Sequence, residues 1–231
     1  MDEIALTAWT LGLALGVRHA LEPDHLAAVS TLVADQRGSR AGLVLGALWG
    51  AGHTSGLLLL GGVLAVLQRG LPPGVGALLE ACVGVMLCAL GARALWGSLR
   101  HDGVGTVVEH RHGPHRHAHP APGEHVHLGQ WTLLRRPLLV GVVHGLAGSG
   151  ALVALAIAGA RSAGERLGFI AMFGLGSVAG MTVLSALAGA GLQRYTSSPR
   201  VSRWVAGVAG AVSLVLGSVW GSAAVWALVA G

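Results

Sequence analysis

The sequence predicts an all-α integral membrane protein with about six transmembrane helices, arranged as two inverted three-helix repeats. Apolar residues make up 53% of the 231 positions and charged residues only 11%, against about one quarter in a soluble domain. The charges lie in short stretches between long apolar runs, and two blocks of the first half recur in the second. This composition excludes a disordered chain, an ordinary nucleic-acid-binding domain and a soluble globular enzyme. We therefore expect a lipid bilayer around the chain and no nucleic-acid partner.

Six runs approach or exceed the roughly 20 apolar residues that a membrane-spanning helix needs. They cover 4–34, 41–68, 74–99, 136–160, 166–193 and 203–230. A single helix over the first run would be about 46 Å long, which exceeds the hydrocarbon core of about 30 Å, so we expect a break inside it. The chain then divides into a first half (1–99), a His-rich loop (100–132) and a second half (133–231), and its 38 glycines suit close helix packing.

The distribution of arginines predicts the orientation, because cytoplasmic loops carry an excess of basic residues. One side of the predicted bundle receives Arg37, Arg40, Arg100, Arg111, Arg116, Arg135, Arg136, Arg194, Arg200 and Arg203, and the other receives only Arg69, Arg161 and Arg166. This asymmetry places the 100–132 loop in the cytoplasm and both termini outside.

The internal repeat rests on two aligned blocks. His19-Ala-Leu-Glu-Pro-Asp-His-Leu aligns with His144-Gly-Leu-Ala-Gly-Ser-Gly-Ala, 125 residues later, and Trp49-Gly-Ala-Gly-His-Thr-Ser-Gly aligns with Phe173-Gly-Leu-Gly-Ser-Val-Ala-Gly, 124 residues later. An odd number of spans in each half turns the second copy upside down. Many secondary transporters have this architecture, and their binding sites lie at interrupted helices in matching positions of the two halves.

The matching interruptions are Glu22-Pro23-Asp24 in the first half and Gly148-Ser149-Gly150 in the second. Pro23 cannot donate to the carbonyl of His19, and its ring crowds that carbonyl. We therefore expect the backbone to open next to His19. Open backbone at membrane depth is tolerated where protein buries it or where it lines a cavity.

The residues around this break form an H-x4-D-H pattern of His19, Asp24 and His25. On a continuous helix the three side chains would point in different directions, whereas a chain unwound at Pro23 lets them converge. Two imidazoles and a carboxylate suit a divalent cation such as Ni²⁺, Co²⁺ or Zn²⁺. Because only neutral imidazole binds a metal, affinity should fall as the pH drops through about 6.5, the ordinary histidine pKa.

Two further histidines lie in apolar runs. His53 lies within Gly-His-Thr-Ser-Gly and is predicted to be a metal ligand or the partner of one. Thr54, beside it, is predicted to support the site. The alternative is that His53 is a hydrogen-bonded histidine that only packs between helices. His144 is the repeat equivalent of His19 and is a weaker candidate ligand, because no Asp-His pair follows it.

The remaining polar residues near the interruptions are predicted to support the site. Ser149 and Ser177 occupy the positions of the second half that match Asp24 and His53, where they could orient ligands or water. Glu22 lies four residues after Arg18, a spacing that permits an ion pair. Glu80, early in the third run, could relay protons or reach the membrane surface.

The long polar loop is rich in histidine. Its predicted metal-binding residues are His110, His112, His115, His117, His119, His125 and His127. Such low-complexity composition binds metals without needing a fold, so we predict a disordered cytoplasmic metal buffer or sensor. The alternative is a solvated linker, and the absence of nearby cysteines argues against a zinc finger.

These motifs resemble those of the nickel/cobalt transporter (NiCoT) superfamily, and most closely its six-helix branch named after the urease-accessory nickel permease. The resemblance rests on the complete H-x4-D-H pattern, on Gly52-His53-Thr54-Ser55, and on Val143-His144-Gly-Leu-Ala-Gly-Ser-Gly. It covers essentially the whole chain except the loop.

The resemblance implies a membrane carrier whose transported substrate is Ni²⁺ or Co²⁺, with no separate cofactor and no enzymatic activity. Uptake for urease or hydrogenase is favoured, with the maturation proteins of those enzymes as candidate partners, and efflux is the alternative. Two other classes remain open: an intramembrane metalloenzyme or haem protein using the same histidines, and a metal-sensing subunit without its own translocation path.

Overall fold

The computed structural model describes residues 3–34, 38–100, 107–112, 115–120, 131–159, 162–195 and 199–230. Its helices are α1 (Glu3–His19), α2 (Pro23–Ala34), α3 (Ser39–Gly56), α4 (Gly62–Leu67), α5 (Pro73–Arg100), α6 (Trp131–Gly159), α7 (Ala163–Tyr195) and α8 (Pro199–Ala230). A π-helical turn (Leu57–Gly61) joins α3 to α4, and two short strands, β1 (Val107–His112) and β2 (His115–Pro120), lie in the loop. Helices satisfy their backbone hydrogen bonds internally, as an apolar environment requires.

Four helical stretches of the described residues are long and apolar enough to cross a membrane. They are Ser39–Leu67, Gly74–Leu99, Ala163–Arg194 and Arg200–Ala230, and a fifth candidate is the bent pair Arg135–Gly148 and Gly150–Gly159. The predicted first run does not form one such stretch, because it divides into α1 of 17 residues and α2 of 12 residues. The helical bundle is therefore confirmed with four or five candidate spans, and the sixth depends on whether α1 and α2 cross together.

Both predicted interruptions coincide with a change of helix direction or a helix end. In the first half α1 ends at His19 and α2 begins at Pro23, since proline needs no hydrogen-bond acceptor in the first turn of a helix. The N–H of Glu22 donates to the carbonyl of His19 (3.0 Å), which closes the turn between the two helices. In the second half the axis of α6 bends by 52° between Gly148 and Gly150.

The pair α1 and α2 extends along the whole length of α7. Near the start of α7, Phe169 packs against Gly12 of α1. Near the end of α7, the carbonyl of Gly189 accepts a hydrogen bond from the N–H of Gly38, just after α2 (3.3 Å). Helix α1 and the residue that precedes α3 therefore pack against different parts of α7.

Glycines bring the helices of the two halves into backbone contact. A methyl group at Gly16 of α1 would meet the carbonyl of Phe173 in α7, and one at Gly141 of α6 would meet the carbonyl of Trp49 in α3. The two contacts are equivalent under the internal repeat, because Gly16 aligns with Gly141 and Trp49 aligns with Phe173. Only glycine permits so close an approach of two helix backbones.

The same correspondence extends to α5 and α8, which run antiparallel. A methyl group at Gly84 of α5 would lie 2.9 Å from the carbonyl of Gly217, and one at Gly210 of α8 would lie 2.7 Å from the carbonyl of Gly91. If each residue of α5 is matched with the residue 126 positions later, Gly84 corresponds to Gly210 and Gly91 corresponds to Gly217. The two contacts are therefore equivalent under the repeat.

The bundle buries part of its apolar residues and leaves many large apolar ones on its exterior. Ala28, Val33 and Trp49 are fully buried, whereas Val85 is 69% and Val229 is 78% exposed. An apolar exterior of this extent would be unusual on a soluble protein, and it suits contact with lipid tails.

Part of the loop forms a short strand pair. Strands β1 and β2 form an antiparallel hairpin in which His110 pairs with His117 and His112 pairs with His115. In these strands histidines alternate with Arg111, Arg116 or Ala118, and a hairpin needs only local contacts to form.

Candidate metal centre

The break between α1 and α2 brings four histidines of the apolar helices together. His25, in the first turn of α2, is the central member, with its ring centroid 4.4 Å from that of His19, 5.2 Å from that of His53 and 4.2 Å from that of His144. His25 and His53 are fully buried, and His144 is 3% exposed. Residues from α1, α2, α3 and α6 thus meet at one point inside the bundle.

Asp24 connects two of these histidines. Its Oδ1 lies 3.0 Å from Nδ1 of His25, and its Oδ2 lies 2.6 Å from Nε2 of His144. The carboxylate is itself buried, with 7% of Asp24 exposed. It lies in the first turn of α2, where the helix dipole stabilises a negative charge.

His19 contacts a different set of partners. Its Nε2 lies 3.3 Å from Nε2 of His53, and its Nδ1 lies 2.9 Å from Oε2 of Glu22. In place of the ion pair expected with Arg18, Glu22 accepts a hydrogen bond from Nδ1 of His19, because the chain turns between α1 and α2 and no longer keeps helical spacing. A carboxylate on Nδ1 fixes the orientation of the ring and favours a free lone pair on Nε2.

The ligand atoms form two triads, each with its members within 4.8 Å of one another: Asp24, His25 and His144, and His19, His25 and His53. Two nitrogens bound to one tetrahedral metal at 2.0–2.1 Å are about 3.4 Å apart. The 3.3 Å between His19 and His53 matches this spacing. Each triad is a group of donors that could hold a metal ion.

Several buried ring nitrogens of the cluster have no hydrogen-bond partner. They are Nε2 of His25, Nδ1 of His53 and Nδ1 of His144. Buried polar atoms are normally paired, and an imidazole nitrogen that carries no proton and accepts no hydrogen bond is free to bind a metal. The cluster thus has spare donor capacity for a cation.

A cavity of about 340 Å³ adjoins the cluster. Its walls include His19, Glu22, Asp24, His25, Glu80, His144 and Trp220, but not His53. The lining residues of α5 lie early in that helix and those of α8 lie late in it. The cavity therefore extends from the cluster toward the end of the bundle where α5 begins.

The residues predicted to support the site have different roles. Pro23 begins α2 and so directs Asp24 and His25 inward. The hydroxyl of Thr54 donates to the carbonyl of Gly174 (3.0 Å), and that of Ser177 donates to the carbonyls of Phe173 (2.9 Å) and Gly16 (3.3 Å). Thr54 and Ser177 thus stabilise contacts of α7 with α3 and α1, rather than holding a ligand side chain.

Other predicted site residues lie outside the described part of the structure. The side chain of Ser149 is among them, as are His125 and His127. The backbone of His110, His112, His115, His117 and His119 belongs to the hairpin, but their side chains are not described. The metal-buffer hypothesis for the loop therefore stays a prediction.

Sequence reasoning did not assign Trp49 and Phe173 to the site. The ring of Trp49 lies 5.5 Å from that of His25, and the ring of Phe173 lies 5.1 Å from that of His19. The two residues are aligned in the internal repeat, and this correspondence was a signal for them. They form apolar walls that exclude water from the imidazoles.

No protein-family model and no solved structure matches the chain. The chain is 32% identical over 218 residues to the urease accessory protein UreH of Bacillus sp. (strain TB-90), and the alignment covers 94% of this chain and 92% of the relative. Because it has this relative and several helices that are apolar enough to span a bilayer, the chain is a multi-pass membrane protein. It belongs to the UreH-like, urease-accessory branch of the nickel/cobalt transporter superfamily.

Proposed function

We propose that the chain is a secondary transporter of Ni²⁺, or of Co²⁺, with a midplane site formed by His19, Asp24, His25, His53 and His144. The observation that carries the proposal is the buried set of imidazole and carboxylate donors inside an apolar bundle. Ionisable groups at membrane depth are costly and are usually retained for function. Imidazole nitrogen is a good ligand for nickel and cobalt, which enter as transported substrate and not as a cofactor.

The name of the relative supports uptake as the direction. An accessory protein of urease serves that enzyme's maturation, and a permease that brings Ni²⁺ into the cell would supply the metal. Urease maturation proteins are accordingly the proposed recipients of the ion, with hydrogenase maturation proteins as the alternative. Efflux of excess metal is the second candidate direction, and the His-rich loop favours it.

The glycine contacts support the inverted repeat and the sixth span. Contacts of Gly16 with Phe173 and of Gly141 with Trp49 are equivalent under the repeat, and so are those between α5 and α8. In this arrangement α1 and α2 together make one crossing, which gives three crossings in each half. Rocking of the two halves around the midplane site would expose it to either side in turn.

The arginine distribution supports an outside position for the end where α5 begins. The cavity extends toward that end, so it would admit ions from outside while the loop at 100–132 faces the cytoplasm. This orientation is compatible with uptake, since the buried triads then lie between the external cavity and the cytoplasmic end.

The imidazole rings favour an ion over a haem as the bound group. The rings contact one another directly. The ring centroids are 4.2 Å apart for His144 and His25, 5.2 Å apart for His25 and His53, and 5.2 Å apart for His53 and His19. A flat macrocycle needs an open slot between its two axial ligands, and a small cation does not.

The test of the proposed function is radiolabelled nickel flux in proteoliposomes that contain only this protein, with an imposed pH gradient and competing Co²⁺. We expect flux above that of protein-free vesicles, and competition by cobalt. Flux equal to the protein-free background under both polarities of the gradient would overturn the proposal and favour a sensing subunit that has no translocation path.

Deletion of the gene separates the two directions. If the protein imports nickel, cells without it become nickel-resistant and contain less metal; if it exports nickel, they become sensitive and accumulate metal. We expect the first result. Growth in graded nickel together with cellular metal content by mass spectrometry distinguishes the two.

Glu80→Gln is expected to raise the KM for Ni²⁺ by about tenfold, with little change in kcat. The carboxylate lines the cavity but belongs to neither triad, so it would concentrate cations at the entrance by attraction without binding them at the site. Initial rates of flux at graded Ni²⁺ measure the effect. Glu80→Asp keeps the charge and should retain a KM near that of the wild type; an equal defect in both variants would contradict the electrostatic role.

A further inference from the structure

We infer that the ion passes through two coordination sites in sequence and that the imidazole of His25 belongs to both. The outer triad is Asp24, His25 and His144, and the inner triad is His19, His25 and His53. The inference rests on the proposed function, because it divides the same centre into two steps.

The geometry separates the donors into two groups rather than one. Among the described residues, the donor atoms that lie within 4.8 Å of one another form these two triads, and His25 is their shared member. The ring centroids of His53 and His144 are 6.0 Å apart, and each is closer to that of His25. Nitrogens bound at 2.0–2.1 Å to one metal cannot be more than about 4.2 Å apart. The donor atoms of the two triads do not all lie within even 4.8 Å of one another, so a single ion does not reach all five side chains in this arrangement.

The two nitrogens of His25 suit the shared role. Nδ1 faces Asp24 of the outer triad at 3.0 Å. Nε2 is separated from Nδ1 by one ring carbon, points in a different direction and is buried without a hydrogen-bond partner, so it is available to the inner triad. Either neutral tautomer of the ring leaves one nitrogen free to bind a metal.

The cavity gives the order of the two triads. All three members of the outer triad line it; His19 and His25 of the inner triad line it as well, whereas His53 does not and is fully buried. An ion in the cavity can therefore complete the Asp24 triad with cavity-lining donors alone, and it completes the all-imidazole triad only when it reaches His53. The charged triad would capture the ion, and the neutral triad would bind it less strongly and release it onward.

A shared imidazole also implies that one ion is bound at a time. Two divalent cations held on opposite edges of one ring repel each other strongly in a buried environment. Wild-type protein is therefore expected to bind one Co²⁺ per chain at saturation.

The experiment uses purified full-length protein in detergent, with Co²⁺ as the probe, and the variants His53→Ala, His144→Ala and His25→Ala. We expect His53→Ala to bind one Co²⁺ through two imidazoles and a carboxylate, and His144→Ala to bind one Co²⁺ through three imidazoles, as counted by X-ray absorption and visible spectra. His25→Ala should lose at least about 100-fold in Co²⁺ affinity. Replacing a residue that only orients a metal ligand costs about 10- to 100-fold, and His25 is placed as a ligand of both triads. All three variants should lose nickel flux in proteoliposomes.

Identical Co²⁺ spectra for His53→Ala and His144→Ala, or two ions per wild-type chain, would overturn the inference. Retained flux in either variant would do the same. Size-exclusion profiles check folding, and His53→Gln and His144→Gln replace any alanine variant that aggregates. If wild-type vesicles show flux but the spectra are identical, only the two-step inference fails; if wild-type vesicles show no flux, the proposed function fails.

Discussion

Asp24→Asn is expected to reduce nickel transport by about 100-fold or more while leaving the protein folded. Loss of a group that only orients a ligand already costs 10- to 100-fold in metal affinity, and Asp24 is placed as a ligand itself. Asparagine keeps the shape of the side chain but removes the negative charge that contacts His25 and His144. Flux in proteoliposomes and Ni²⁺ binding by calorimetry measure the change.

The matched control for this variant is Glu165→Gln, which removes a half-buried carboxylate in the first turn of α7, away from the cavity lining. Its flux should equal that of the wild type. His19→Ala should share the defect of Asp24→Asn. Normal cellular nickel accumulation by either Asp24→Asn or His19→Ala would remove these residues from the site.

Gly141→Ala is expected to destabilise the bundle by about 2–3 kcal/mol, the upper part of the range for overpacked cores. The added methyl group would meet the carbonyl of Trp49 and would lie 2.8 Å from the backbone nitrogen of His53. Backbone atoms cannot rotate away as a side chain can, so α3 and α6 must separate. Because α3 carries His53 and α6 carries His144, the metal centre should be disrupted as well.

Thermal unfolding in detergent, monitored by size exclusion, measures this effect. Gly16→Ala should be similarly destabilised, because its methyl group would meet the backbone of Phe173 in the equivalent contact. Gly97→Ala is the control: nothing lies within 4 Å of a methyl group there, and the higher helix propensity of alanine should leave stability unchanged or slightly increased. Equal stability of Gly141→Ala and Gly97→Ala would contradict the close helix contact.

Local features of the sequence were sufficient to predict the helical breaks. Pro23 removes a backbone donor wherever it lies in a helix, and the structure ends α1 at His19 and begins α2 at Pro23. The bend of α6 at Gly148 and Gly150 follows from the same kind of signal. Hydropathy predicted an apolar helical bundle but gave the first run as one apolar stretch, since it does not register where one helix ends and the next begins.

Contacts between distant segments could not be predicted in the same way. Glu22 is spaced to meet Arg18 on a helix, yet the turn after His19 directs it to that histidine. Thr54 lies beside His53 in the sequence and Ser177 occupies the repeat position that matches His53, but their hydroxyls face backbone carbonyls across helix contacts. The neighbours of each polar group depend on the rotation of its helix, which sequence spacing alone does not define.

The sequence by itself determined that this protein is a helical membrane bundle with a broken first helix and a set of metal-binding residue types around the break. Only the tertiary structure decided that His53 and His144 reach His25 from two other helices, α3 and α6, and that the donors divide into two triads beside one cavity. The physical reason is that hydropathy and proline act on neighbouring residues, whereas the close packing of α3 on α6 depends on glycines that are distant in the sequence and allow the two backbones to approach.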